Sequence, residues 1–329
     1  HATLVVGDSV RTGVTAILPH DENPYLSRVP AAVHVANAFG KLIGATQVRE
    51  LGELESPILL TCTLCVWRVA DALAAELLAR PGMESVRSIN PVVGETNDGA
   101  LNAIRARPVG ADAVRAALDS ARGGPVREGT VGAGTGTVAF EWKGGIGTSS
   151  RVLPATLGGW TVGAFVQSNF GARYQLTIAG VPVGHHLKEH PVWTDGENPY
   201  KQDSGSLIII LATDAPLLPH QLKRIAKRAS LGMARTGSLG GNGSGDIFLA
   251  FSTANPNTAL GEEKGIAELH TLDNDHLNPL FAASVFATEE AIINSMVAAG
   301  DMIGHNGFSV KALPHEELRE VMRKYGRLD

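Results

Sequence analysis

The chain has 329 residues, 44% of them apolar and 19% charged, with 38 glycines, 5% aromatics and a formal charge of -5. This length and apolar content exclude a disordered chain and allow one large core or two ordinary domains. The mild acidity, with no lysine–arginine face, speaks against a nucleic-acid partner, and no apolar run reaches the roughly 18 residues read as a membrane span.

In chain order, TLVVGD (3–8) and GVTAILP (13–19) read as two strands joined by a short turn. HVANAFGKLIGATQV (34–48) and PILLTCTL (57–64) are mixed in pattern. Cys62 and Cys65 have C-x-x-C spacing but no second pair or histidines, so two small buried side chains are favoured over a zinc or redox site. A helix is predicted over 66–80, where Val66, Val69, Ala70, Leu73 and Leu77 share a stripe, and a shorter one over 111–121. Within the glycine-rich 129–159, GAGTGT (132–137) imitates a dinucleotide loop but lacks the third glycine at its offset.

TVGAFVQSN (161–169), YQLTIAGV (174–181) and SLIIILATD (206–214) read as strands, the last buried on both faces. The polar stretch 185–205 reads as a surface excursion or lid, and its His185, His186 and His190 do not form a metal-ligand pattern. A helix begins at Pro219, with Leu222, Ile225, Ala226, Ala229 and Met233 inward and KRIAKR (223–228) on a solvated face. DIFLAFST (246–253) is a strand, and 289–299 and 315–325 are helices. Strands and helices come in groups, which predicts sheets under helix layers within a single unit, 1–329, rather than a βαβ repeat.

The most unusual local sequence is ARTGSLGGNGSGDIFLAFSTAN (234–255), where a helix end, a glycine-rich stretch and a strand meet at Ser244. A serine at the head of a strand is held rigidly, and a preceding glycine lets the chain bend its carbonyl toward the hydroxyl. Attack there turns the Gly243–Ser244 amide into an ester. Water then frees an N-terminal serine whose α-amine, of reference pKa about 7.7–8.0, can act as its own base. An ordinary serine in a glycine loop fits the same residues and is favoured by local chemistry alone.

The sequence GNGSGDIFLAFSTAN resembles the cleavage segment of the DmpA-type aminopeptidases, the P1 or S58 peptidase family. VRTGVTAILP (10–19), NPVVGETNDGALN (90–102), FEWKGGIGTSSR (140–151), FVQSNFG (165–171), ATDAPLLPHQLKR (212–224) and ATEEAI (287–292) resemble the same family in the same order. The resemblance spans nearly the whole chain. It implies an α+β fold, an αββα four-layer sandwich akin to the N-terminal-nucleophile hydrolases. It implies self-cleavage into 1–243 and 244–329, with Ser244 as nucleophile, and release of N-terminal residues from small peptides, amides or esters that carry a free amine. It further implies a homotetramer of cleaved pairs and needs no cofactor or metal. The Gly-Ser junction is nearer the D-alanine-amide-cleaving branch than the Asn-Ser junction of β-peptide-cleaving relatives.

The family places a hydroxyl and a carboxylate two residues apart, and the resemblance maps them to Thr288 and Glu290, with Glu289 as a substitute for Glu290. A helix N-cap at Thr288, with acids in the first turn, explains the same residues and can coexist. Asn169 is a candidate oxyanion donor, or else a turn asparagine. Lys143 is a candidate for stabilising negative charge or depressing the new amine's pKa, or else a surface lysine. Glu141 and Asp98 are candidates to meet the substrate amine. Three alternatives stay open: an amidase on pantetheine-like or oligoamide substrates, a nicotinamide-dependent oxidoreductase resting on GAGTGT alone, and a non-catalytic binding protein. Compartment is read as cytoplasmic, or periplasmic if a signal peptide preceded His1.

Overall fold

The computed structural model describes residues 1–190, 192, 205–255 and 265–328. One sheet is built from β1 (Ala2–Val6), β2 (Val10–Ile17), β4 (Leu42–Ile43), β6 (Ile58–Cys62) and β7 (Val92–Thr96), in the order β1-β2-β6-β7-β4. A second takes β3 (Val29–Ala38), β5 (Glu53–Leu54), β10 (Gly145–Val152), β11 (Thr161–Asn169), β12 (Ser206–Thr213) and β13 (Gly245–Ser252), in the order β10-β11-β12-β13-β3-β5. Two small hairpins, β8 (Val138–Ala139) with β9 (Trp142–Lys143) and β14 (Met302–Ile303) with β15 (Ser309–Val310), sit apart. The helices are α1 (Ala45–Leu51), α2 (Val66–Leu78), α3 (Ala111–Asp119), α4 (Pro219–Arg235), α5 (Asn278–Val297) and α6 (His315–Lys324).

The apolar run of β12 shows how four layers form. Leu207, Ile209 and Leu211 enter a core shared with Leu222 and Ile225 of α4 and Leu280 and Ile292 of α5. Their alternates Ile208 and Ile210 enter a different core, shared with Ile58, Leu60 and Val92 of the first sheet. A strand sandwiched this way has no solvent face, so it carries no polar alternation. The first sheet's outer face is closed by α2 and α3 through Val69, Leu73, Leu77 and Val114. The layers therefore run α2/α3, sheet, sheet, α4/α5, the αββα sandwich expected, in a mixed helix-and-sheet chain.

Three local expectations are corrected. The 174–181 segment is not a strand: it holds a short turn, Arg173–Gln175, and one bridge, Ile178↔Val181, because Ala179 and Gly180 turn the chain at positive φ. The helix expected at 289–299 starts at Asn278, so Thr288 is a buried interior residue and not an N-cap. Its first turns, NPLFAASVFA, are apolar nearly all round, and that hides the period. With the turn before it, this helix is long and apolar enough for a membrane span, contrary to the absence read from the sequence, but it is a core helix packed on β10, β11 and α4. Cys62 and Cys65 are buried as expected, and they are also joined to each other by a disulfide at the start of α2. Most of the excursion read at 185–205 lies outside the described residues.

Candidate active site

The second sheet ends at one edge of the sandwich in three adjacent positions. Asn169, the last residue of β11, pairs with Ser206, the first of β12, and Ser206 pairs with Gly245, the first of β13. Directly opposed residues of an antiparallel pair share a face, with Cβ atoms about 4.5–5.5 Å apart. That face looks toward the other sheet. Gln167, two residues before Asn169, donates to Thr61 O at 3.1 Å and Thr96 Oγ1 at 2.8 Å across the interface. A cavity of about 490 Å³ opens there, lined by Ser206, Asn169, Gly205, Gly243, Glu95, Lys41, Thr63, Asn97, Glu141 and Phe39 among others.

Ser206 is 4% exposed and stands at this wall. The Gly245 N–H is shared between the Gly205 carbonyl, at 2.9 Å, and Ser206 Oγ, at 3.3 Å. Gly205 has no substitute: a Cβ there would lie 2.2 Å from Asn169 O. Reading for a glycine-preceded serine at a strand start applies equally to Ser206, and sequence reasoning missed it. The GSLIIIL pattern was the available signal.

Ser244 faces differently. Its Oγ donates to Asp246 Oδ1 at 2.7 Å. Asp246 shares the face of Phe248, which packs in the core under α4 and α5. Gly243 reaches the cavity wall, whereas Ser244 does not line it. The turn before Ser244 is clamped by Asn37, whose amide donates to Gly241 O at 2.9 Å, Asn242 O at 3.2 Å and Ser244 O.

Of the other residues named from sequence, Asn169 is in the cavity. Its Nδ2 donates to Asn97 O at 3.0 Å, and its Oδ1 accepts from the Val138 N–H at 2.9 Å. Lys143 is not a surface residue: it is fully buried behind the wall, its Nζ donating to Gly134 O at 3.0 Å and Gly144 O at 2.7 Å. Burial pushes its pKa down to about 7, against the pull of Asp98. Burial likewise pushes Asp98 up to about 7, with nearby hydrogen-bond donors and Lys143 pulling the other way.

Thr288 and Glu290 are not brought to the cavity, and they point apart. Thr288 packs against α4, where a Cβ on Gly232 would meet its own Cβ at 2.6 Å. Glu290 accepts from Ser149 Oγ at 2.7 Å and pairs with Arg151 at 2.6 Å. Burial works to raise its pKa, but those partners hold it below the usual carboxylate value. Glu289 pairs with Arg235.

Among the described residues, two acids line the cavity. Glu141 has both oxygens engaged, by the N–H groups of Arg173 at 3.4 Å and Val192 at 3.2 Å. Glu95, at the end of β7, is 1% exposed. Its Oε1 accepts the Lys41 N–H at 2.8 Å and lies 3.4 Å from Lys41 Nζ, while Oε2 is buried with no hydrogen-bond partner among the described residues. A Cβ on Gly40 would lie 2.8 Å from Gly245 Cα and 3.5 Å from Glu95 Oε1, so one glycine separates this acid from the head of β13. Glu95 falls inside NPVVGETNDGALN, yet no periodicity marks it as facing a cavity.

The GAGTGT segment forms a short turn, Gly132–Gly134, followed by a hairpin, and no helix starts there to receive a phosphate. This removes the one feature behind the oxidoreductase alternative.

Comparison with known proteins matches residues 1–310 to the model of peptidase family S58. The chain is 44% identical over 332 residues to a β-peptidyl aminopeptidase, BapA, of Sphingosinicella microcystinivorans, covering 97% of this chain and 82% of that one. The solved structure of an L-aminopeptidase D-Ala-esterase/amidase from Ochrobactrum anthropi superposes with a TM-score of 0.91 at 41% identity, covering 100% of this chain and 92% of that one. It is described as a prototype of the serine aminopeptidases and a variant of the Ntn hydrolase fold. The PH0078 protein of Pyrococcus horikoshii OT3 gives the same TM-score at 46% identity, covering 100% of this chain and 92% of its own.

Proposed function

The chain belongs to peptidase family S58 and is a peptide hydrolase of the Ntn fold, and from that premise we propose that it cuts itself between Gly205 and Ser206 and uses Ser206 as an N-terminal nucleophile. The observation that carries this reading is the cavity-facing position of Ser206, opposite Asn169 and behind a glycine that tolerates no side chain.

The chemistry follows from the geometry. Ser206 Oγ attacks the Gly205 carbonyl carbon, which the Gly245 N–H polarises. The C–N bond breaks as the C–O ester forms, leaving a free amine on Ser206. Water hydrolyses the ester, giving a carboxylate on Gly205 and the two segments 1–205 and 206–329. In turnover, the new amine takes the hydroxyl proton as Oγ attacks a substrate carbonyl and returns it to the leaving amine as the C–N bond breaks; water then hydrolyses the acyl ester and restores the Ser206 hydroxyl. Asn169 Nδ2 and the Gly245 N–H, released from Gly205, are the oxyanion donors. The hydrogen-bonded Ser244–Asp246 pair supports the nucleophile's strand from behind. It has the same two-residue spacing as Thr288 and Glu290, but its hydroxyl and carboxylate bond each other, whereas Glu290 is taken by Ser149 and Arg151.

The substrate is a small peptide, amide or ester with a free amine, and Glu95 is the acid that meets that amine. Its buried Oε2 without a partner supports this role over Glu141, whose oxygens are both taken, and over Asp98, which lies behind the wall.

A second reading keeps Ser244 as nucleophile and the break after Gly243. It is favoured by the contact of Gly243 with the cavity and by the carboxylate on the Ser244 hydroxyl. The two are separated by Ser206→Ala and Ser244→Ala, each assayed for fragments on a denaturing gel and for hydrolysis of alanyl p-nitroanilide. Under our reading Ser206→Ala stays one chain and is inactive, and Ser244→Ala still cuts at 205/206. An uncut Ser244→Ala beside a Ser206→Ala that cuts and turns over would transfer the role to Ser244.

A further inference from the structure

The amide of Asn169 is gripped at both ends by backbone, through the carbonyl of Asn97 and the N–H of Val138. Each gripping residue adjoins one member of a buried pair of opposite charge. Asn97 directly precedes Asp98, and Val138 is the cross-strand partner of Lys143 in the β8–β9 hairpin. Asp98 and Lys143 are 1% and 0% exposed, and neither lines the cavity.

Each is tied into its own segment. Asp98 Oδ1 accepts from Asn102 Nδ2 at 3.0 Å, and the Asp98 carbonyl takes the N–H groups of Leu101 and Asn102. Lys143 Nζ spends two donors on Gly134 O and Gly144 O. Both lean on the 134–136 turn, since a Cβ on Gly136 would meet Asp98 Cβ at 3.0 Å. The segments of Asp98 and Lys143 thus meet at one turn, Asp98 through Gly136 and Lys143 through Gly134.

We propose that Asp98 and Lys143 are positioning residues for Asn169: they pin the two backbone segments whose carbonyl and N–H fix its amide, leaving the second N–H hydrogen directed at the oxyanion. The inference rests on the reading of Asn169 as an oxyanion donor. Such a donor must hold about 2.7–3.1 Å from the developing charge, and a displacement of about 1 Å can cost about 100-fold in rate. Burial drives both groups toward their neutral forms, each opposed by the other's charge.

The test is a double-mutant cycle in the full-length protein with alanyl p-nitroanilide as probe. Asp98→Asn and Lys143→Met should each lower kcat about 10- to 100-fold with KM within about threefold. Placed on Asn169→Ala, each should cost less than about twofold more. The nearly isosteric Asp98→Asn carries the test where Lys143→Met does not fold, and circular dichroism identifies that case. Losses that multiply fully in the Asn169→Ala background, or that fall on KM instead of kcat, overturn the inference. Failure of the underlying reading looks different: Asn169→Ala alone would then leave kcat unchanged.

Discussion

Glu95 and Glu141 line one cavity, and their hydrogen bonds separate their roles. Each oxygen of Glu141 accepts one backbone N–H, which ties it to the loop that holds Arg173, whose guanidinium lies 3.5 Å from the centre of the Trp142 ring. Glu95 keeps an oxygen in reserve and is only partly neutralised by Lys41, which also bonds Thr63 Oγ1 at 2.7 Å. A substrate ammonium can take that oxygen without breaking the Lys41 backbone bond. Glu95→Gln keeps the shape and removes the charge. Losing a charge-assisted hydrogen bond of about 1.5–3 kcal/mol predicts a fall of about 10- to 100-fold in kcat/KM, carried by KM. Steady-state kinetics on an aminoacyl p-nitroanilide and on its N-acetylated form checks this. The variant should also lose its preference for the free amine, and an unchanged preference would remove Glu95 from recognition.

At the scale of elements, the site is made by register. β11, β12 and β13 end or begin at one level, so Asn169, Ser206 and Gly245 stand side by side although they are far apart in sequence. Close packing of β11 on β12 forces a glycine at 205. Gly205→Ala would press its methyl on Asn169 O and twist the scissile carbonyl off the Gly245 N–H. Self-cleavage should then slow by about 100-fold, read from the half-time of fragment appearance on a denaturing gel. Cutting at the wild-type rate would mean that this carbonyl is not the one attacked. The strands themselves were legible: 161–169 was read with the bounds observed, and 206–214 and 246–253 within a residue or two of theirs. Their order and register were not, because pairing depends on contacts between distant segments. Ser206 begins β12 and Ser244 directly precedes β13, each after a glycine, and a one-strand view cannot tell them apart. The difference lies in the face each serine presents, one toward the other sheet and the other tied to Asp246 on the helix side. Thr288 and Glu290 were misleading for a related reason: two residues apart on a helix point to different sides.

For the whole molecule, four layers leave the rim between the two sheets as the place where strand ends from both can converge. Ser206 and Asn169 come from one sheet, and Glu95 and Thr63 from the end of β7 and just beyond the end of β6 in the other. Both proposed segments contribute to the sheet that carries the site, since β12 and β13 of 206–329 lie between β11 and β3 of 1–205. Under this proposal, opening the 205–206 bond would free an amine without releasing a fragment, because β11, β12, β13 and β3 stay neighbours in one sheet. The measurement that bears on this most directly is intact mass of the purified wild-type protein under denaturing conditions, with N-terminal sequencing of the smaller species. Two chains are expected, 1–205 and 206–329, the second beginning Ser-Leu-Ile. A second chain beginning Ser-Gly-Asp, or a single active chain that never divides, would contradict it.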